Sequence, residues 1–473
     1  MSRLNPELDR RGFLRGMAVS GGAILAPTFL QGLGARLGYA ARTGTPLPNA
    51  GGGEGGYGPL QPTPDKHDGV TRIALPVGFS YVTFGIEGTT MSDGNPTPKE
   101  HDGMAAFRLP NGNVRLIRNH EIRDNPSSST VIGNPTTAYD AIAGGGTTSL
   151  EVEVTSDGAR KLVRDFVSLN GSLVNCAGGA TPWGSWLTCE ETTAGTAAGW
   201  PKPHGYVFEV PVATEDEVPA APYPFMGRFS HEAVAVDPVS WIVYETEDAN
   251  PCGLYRFLPY QPGHLLEGGR LQMLAVRNRP GYDTRYDQQD GRLLLAAWVD
   301  IPDPDPVDAE SNGLSVFQQG FVRGGASFAR LEGCWFSGRS LFFNSTSGSN
   351  AGFGQVWEYQ PIGPRLGWLR LIFESPSIEV LSSPDNITVS PRGGLVLCED
   401  GDAASQFLRG LTRDGRIFDF AEFLLNEHEW AGATYSPDGQ TLFVNIQDDT
   451  SSGGPGNLGY TFAIWGPWEA GAL

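Results

Sequence analysis

The sequence predicts an all-β fold, a six-bladed β-propeller, and three observations lead there. Gly (64) and Pro (36) are frequent among 473 residues, too turn-rich a composition for a helical bundle. From Asp65 onward, short apolar and β-branched runs alternate with Gly, Pro, Asn and Asp, the pattern of strands and tight turns. One unit recurs six times: a turn, a short apolar strand, then a polar or acidic end.

The N-terminus reads as an address rather than as part of that fold. Asp9 to Leu14 is D-R-R-G-F-L, and a weakly apolar stretch broken by Gly and Pro follows from Gly16 to Leu30. Paired arginines before such a stretch resemble a twin-arginine export signal, with small residues near Ala40 and Ala41 for cleavage. The stretch is too short and too polar for a stable membrane span. Residues 1–41 are therefore expected to be a signal peptide taken up by the twin-arginine export machinery, giving a periplasmic or extracellular protein. Residues 42–64, rich in Gly and Pro, are expected to be a flexible arm, and residues 65–473 a single β-propeller catalytic domain.

Within that domain the repeated unit appears as NGNVRLIRNHE (111–121), WGSWLTCEE (183–191) and SWIVYETEDA (240–249). It returns as GRSLFFNSTSG (338–348), RGGLVLCEDG (392–401) and DGQTLFVNIQDD (438–449). A four-stranded blade needs roughly 40 to 50 residues. The average share of chain per copy is larger, leaving room for long loops such as Tyr260 to Gly291. Long helical periodicity is scarce, and only Ala421 to Leu425 is expected as a short helical turn. In a propeller, equivalent strand ends converge on the central channel. Carboxylates crowded there must raise their pKa values or take cations between them, and crowded hard oxygens favour calcium.

The candidate donors follow from this geometry. Most of Glu121, Glu190, Glu191, Glu232, Glu247, Glu332 and Glu429 follow an apolar strand or sit beside a small residue, such as Ala233 or Gly333, that lets the backbone approach an ion. Asp248, Asp385, Glu399 and Asp400 are further candidates. Cys176 lies in a polar, Gly-rich segment, an odd place for a core thiol, and can ligate a soft-tolerant or redox-capable metal. Cys189 and Cys398 sit in apolar runs and are expected to be small core residues. His120, His231 and His428 each precede a candidate Glu, so on a strand they face away from it and are expected to pack or support. Arg330, two residues before Glu332, is a fitting clamp for a phosphate oxygen, with Arg228 a weaker candidate. No G-x-S-x-G and no Walker-type loop occurs, which disfavours a serine nucleophile and nucleotide-driven transfer. The formal charge of −20 disfavours a nucleic-acid duplex or an anionic membrane as partner.

Taken together, HDGMAAF (101–107), RNHE (118–121), NCAGGATPWGSWLTCEE (175–191) and GRFSHEAVAVDP (227–238) resemble the PhoX alkaline phosphatase family. TEDANPCGLYRF (246–257), FARLEG (328–333), SPDNITVSPRGGLVLCEDG (383–401) and EWAGATYSPDGQTLFVNIQ (429–447) continue the resemblance in order. The resemblance implies a six-bladed propeller holding Fe3+ and Ca2+ in one oxo-bridged cluster. It implies hydrolysis of small phosphate monoesters outside the cytoplasm, with a metal-bridging oxygen as nucleophile. On the same basis Cys176 looks like the axial iron ligand, with Glu121 and Glu332 as iron-side carboxylates. Glu190, Glu191, Glu232, Glu247 and Glu429 look like the calcium and bridging shell, and Arg330 like the phosphate-binding arginine. A monomer is expected. The alternatives from other classes are a calcium-dependent propeller lactonase, which would not need Cys176, and a non-catalytic binding propeller.

Overall fold

The computed structural model describes residues 55–155, 158–401, 403, 405–448 and 457–473. The expected signal and the first part of the expected arm lie outside the described residues. Among those described there are 26 strands and one α-helix, Ser315–Phe321, so the fold is nearly all-β. No described helix is long and apolar enough to cross a membrane.

Six strands organise the fold: His101–Arg108, Asn175–Ala180, His231–Val236, Leu331–Ser337, Pro384–Val389 and Trp430–Tyr435. Each packs beside the next in that order, and the last packs beside the first, closing a ring. Each ring strand pairs antiparallel with its successor in the chain. These second strands are Val114–His120, Ser185–Glu190, Val243–Glu247, Ser340–Ser345, Leu395–Glu399 and Leu442–Ile446. They are the six repeats read from the sequence. Further strands extend the pairs outward. The third and fourth pairs merge at their outer edges into a nine-stranded sheet, where Leu293–Asp300 joins Gly367–Glu374. Ser80–Phe84 pairs with Tyr460–Trp465, so the early and late chain share one sheet.

The sheets pack face to face through apolar side chains such as Leu116, Leu150, Phe443 and Ala463. This burial supplies most of the driving force for assembly. Cys189 and Cys398 lie in such clusters, and all five cysteines are buried and unpaired.

Three local expectations change. Ala421 to Leu425 is not a helical turn, because Ile417–Phe423 is a strand paired with Phe407–Leu411. Its alternation buries Phe418 and Phe420 in the core, which a helix would not do. The expected loop from Tyr260 to Gly291 contains a strand, Gly269–Val276, paired with Leu254–Pro259. Within the expected arm, Leu60–Pro64 is a strand paired with Thr71–Pro76. Just before it, the Tyr57 hydroxyl donates to the Leu473 carbonyl at 2.8 Å and its ring meets Phe79 edge-on. That anchoring outweighs the loosening effect of the neighbouring glycines.

Candidate metal centre and active site

The same irregularity occurs near the start of all six ring strands. Two residues there oppose one on the second strand, a β-bulge. In the first five strands the doubled residues are Asp102-Gly103, Cys176-Ala177, Glu232-Ala233, Glu332-Gly333 and Asp385-Asn386. Each bulge thus begins with a metal-ligating residue type and continues with a small residue or Asn. The small residues are required by crowding. A Cβ on Gly103 would come within 2.5 Å of Ala177 Cα, and one on Gly333 within 2.7 Å of Asn386 Cα. The residue before the ring strand is also unusual. Glu100, Val174, Arg330 and Ser383 hold left-handed φ values of 53°, 52°, 45° and 47°, rare for side chains beyond glycine. The carbonyl of the preceding residue accepts the N–H of the residue that follows the second strand: Glu121, Glu191, Asp248 and Asp400 in four sheets. Two sets of side chains are therefore aimed at one end of the ring.

These side chains form a continuous chain of donors. Asp102, Glu121 and Cys176 bring one ligand atom each within 4.8 Å of the others. The same holds for Cys176, Glu191 and Glu232, for Glu232, Glu332 and Asp385, and for Asp385, Asp400 and Glu429. Successive groups share a member, so the series runs around the ring. Three asparagines brace it from behind. Asn119 Nδ2 donates to the Cys176 carbonyl at 2.9 Å, Asn344 Nδ2 to Asp385 O at 2.6 Å, and Asn445 Nδ2 to Asp102 O at 2.6 Å. Each reaches from one sheet to the bulged residue of the next.

The electrostatics are those of a site that needs cations. Burial, with Asp385 adding like charge, pushes Asp102 up to about 8. Burial also raises Glu121 to about 8 and, with Asp400 beside it, Asp385 to about 7. Glu191, Glu232, Glu332 and Glu429 are pushed well above the usual carboxylate range by burial and by neighbouring carboxylates, Asp400 beside Glu429 among them. Burial and the Asp102 carboxylate push the Cys176 thiol up as well. Asp102 Oδ1 and both Glu232 carboxylate oxygens are buried without a hydrogen-bond partner among the described residues. Orphaned buried carboxylate oxygens are costly unless a proton or a cation takes them. A thiol with hard carboxylates around it fits a mixed set of ions: sulfur for a soft-tolerant metal, oxygens alone for calcium.

The structure brings together six of the eight expected donors: Glu121, Cys176, Glu191, Glu232, Glu332 and Glu429. Glu190 and Glu247 lie elsewhere. Glu190 accepts from the backbone N–H groups of Leu173, Gly205 and Tyr206 and contacts His204 Nδ1 at 2.6 Å. Glu247 accepts from Gly253 N and the Tyr255 hydroxyl. Glu399 resembles them, accepting from Ser382 N, Phe407 N and Arg409. Each of the three ends a second strand, one residue before Glu191, Asp248 or Asp400. The side chains alternate, so the first acid of each pair staples its own sheet and the second faces the ring.

His120 contacts Lys99 O and Thr148 Oγ1, His231 contacts Gly227 O, and His428 contacts Gln447 O. None belongs to the donor groups. Arg330 lies at the rim, 41% exposed, with Nε 2.9 Å from Asp248 and Nη2 2.8 Å from Glu332. Arg228 is buried instead among the carbonyls of His204 and Thr193. Asp102 belongs to the donor groups but is not among the candidates read from the sequence. Asp102 precedes Gly103 as Glu232 precedes Ala233 and Glu332 precedes Gly333, so an acid followed by a small residue was the available signal.

The model of the family "Alkaline phosphatase PhoX" matches residues 55–449. The chain belongs to the PhoX family of alkaline phosphatases. This PhoX-family chain is thus a phosphatase acting on phosphate esters, and the lactonase and non-catalytic readings give way. A Pseudomonas fluorescens PhoX, solved with vanadate as a transition state analogue, has a similar fold. It is 17% identical, with a TM-score of 0.64 over 85% of this chain and 97% of that one. A gluconolactonase from Xanthomonas campestris is 11% identical, with a TM-score of 0.39 over 89% of this chain and 99% of that one. No curated protein matches the chain in sequence.

Proposed function

We propose that this phosphatase is an exported six-bladed β-propeller that hydrolyses phosphate monoesters with Fe3+ and Ca2+ held in its donor ring. The observation that carries the reading is the unbroken series of overlapping donor groups with a single thiol near one end. The closed ring of six strand pairs supports the blade count. Export rests on the twin arginines of residues 1–41, which also argue for a periplasmic or extracellular site of action.

In this reading Asp102, Glu121, Cys176 and Glu191 would hold iron, as the three acids share donor groups with the thiol, whereas Glu332, expected on the iron side, groups with Glu232 and Asp385 instead. Asp385, Asp400 and Glu429 hold calcium, and Glu232 and Glu332 lie between the two sets. Such ions, when bound, neutralise phosphoryl charge and acidify water at the site. The protein's own part is to fix the donors on bulged strands and to bring guanidinium donors to the rim. Glu332 and Asp248 outweigh the effect of burial on Arg330 and keep it charged, oriented toward the ring mouth. A charged, preset arginine stabilises transferring phosphoryl oxygen without reorganising during the reaction.

The test begins with protein purified without chelators. Elemental analysis is expected to find iron and calcium together, with a visible ferric–thiolate band and hydrolysis of an aryl phosphate. Fully folded protein with calcium alone would overturn the iron assignment. Arg330→Ala should lower kcat/KM roughly 100-fold with both metals still bound.

A further inference from the structure

We propose that Arg123 is a second phosphate-binding arginine, working with Arg330 to select the monoester dianion over the diester. The inference rests on the phosphatase reading of the donor ring.

Arg123 lies just beyond the second strand Val114–His120, and its backbone N–H donates to Glu100 Oε2 at 3.1 Å, fixing the loop. Its Nη2 pairs with both Glu121 and Glu191. These two acids come from the first and second sheets, so Arg123 spans one junction of the ring. Arg330 spans another, between Asp248 of the third strand pair and Glu332 of the fourth. The two side chains are 57% and 41% exposed, so both reach solvent at the rim while touching donor residues. Among the described residues, no other lysine or arginine pairs with the donor groups.

A guanidinium has five N–H donors in a fixed fork. Arg123 spends Nη2 on the ring, and its Nε and Nη1 have no protein acceptor among the described contacts. The two arginines are linked through adjacent acids: Arg123 pairs with Glu191, Glu191 lies beside Asp248, and Arg330 pairs with Asp248. A monoester dianion offers three non-bridging oxygens, and a diester offers two and one charge. Two arginines from different junctions suit the former. On a diester, the second ester group takes the oxygen that one of them would bind.

The experiment compares wild type, Arg123→Ala and Arg123→Lys in metal content, phosphate affinity and turnover of matched aryl monoester and diester substrates. Inorganic phosphate is the probe for calorimetry. Arg123→Ala is expected to weaken phosphate binding and lower monoester kcat/KM roughly 10- to 100-fold. Diester kcat/KM should change less than about threefold, and Arg123→Lys should recover part of the monoester loss because it keeps charge without the fork. Metal content and the visible band should stay as in wild type. An equal loss on both substrates, or a loss of metal, would make Arg123 a support for the ring and overturn the proposal. Unchanged phosphate affinity in an active wild-type background would overturn it alone. Wild type that neither binds phosphate nor turns over either ester would instead bring down the phosphatase reading beneath it.

Discussion

The two ends of the donor series differ in chemistry and in access. At one end Asp102, Glu121 and Cys176 are buried, and sulfur is among the donors. At the other, Asp385, Asp400 and Glu429 offer oxygen only. Asp400 and Glu429 are half-buried there and line a cavity of about 650 Å³ with His428, Gln447 and Asp448. A closed site with a thiolate holds its ion by covalency and exclusion of water. An open, all-oxygen site exchanges its ion with solvent. In the proposed reading, the buried end would retain its metal and the open end would exchange calcium with solvent.

The strongest test of that contrast is Cys176→Ser. It removes the only sulfur in the donor groups. Activity should fall on the order of 1000-fold, the several kcal/mol that a Lewis acid contributes to a phosphoryl transition state. Iron and the visible band should be lost, and added calcium should not restore them. Retention of the band would break the comparison at its buried end.

Glu429→Gln probes the open end. Here the expected loss is about 10-fold at low calcium, recovered by raising calcium, with the iron band intact. A loss that calcium cannot recover would mean that the two ends act as one rigid cluster.

The strand positions of this ring are legible in the sequence, and the facing of its acids is not. The six repeats locate the second strands, because each ends an apolar run with a recognisable turn of chemistry. Cys176 stands out because a thiol among glycines has no packing reason to be there. The phase of each strand end is harder to read. In Glu190-Glu191 and Glu247-Asp248 both acids are plausible from sequence, yet only the second of each pair faces the ring end. A one-residue shift turns a side chain to the opposite face, and no local propensity fixes that shift. The bulges that aim Asp102 and Asp385 are likewise set by contacts between sheets far apart in sequence. Arg123 escapes notice because its pairing with Glu121 is local, and the partner that makes it a bridge between sheets, Glu191, is 68 residues away.

Chelated protein should also reveal the crowding through pH. Asp102 and Glu121 are raised to about 8 and Asp385 to about 7 in the fold, whereas all three titrate near 4 when unfolded. The folded state therefore binds more protons across that interval. Stability contributed by these protonated groups is fully present below about pH 4. It is lost progressively as pH rises toward 7 and 8. Each group adds a slope of about 1.4 kcal/mol per pH unit within its window. Thermal unfolding of chelated protein between pH 5 and 8 should show the decline, and calcium should stabilise most at the upper end. A flat profile would mean that the ring relaxes and admits water when its ions leave.

The smallest expected effect on chemistry separates the stapling acids from the facing ones. Glu190 is buried, and its oxygens accept three backbone N–H groups from two segments of its own sheet region. Glu190→Gln keeps the shape but loses charge and leaves one position unable to accept, at a cost of about 1–3 kcal/mol in stability. Glu247→Gln should behave alike, since Glu247 accepts from Gly253 N and Tyr255. Both variants should keep their iron, calcium and turnover below the unfolding transition. Glu191→Gln, one residue along, should lose metal instead, because its carboxylate sits with Cys176 and Glu232. Glu190 is fully buried and Glu191 half-buried, one residue apart, and the direction of the side chain decides which of them joins the donors. Metal loss from Glu190→Gln equal to that from Glu191→Gln would show that the staple and the ring are one mechanical unit.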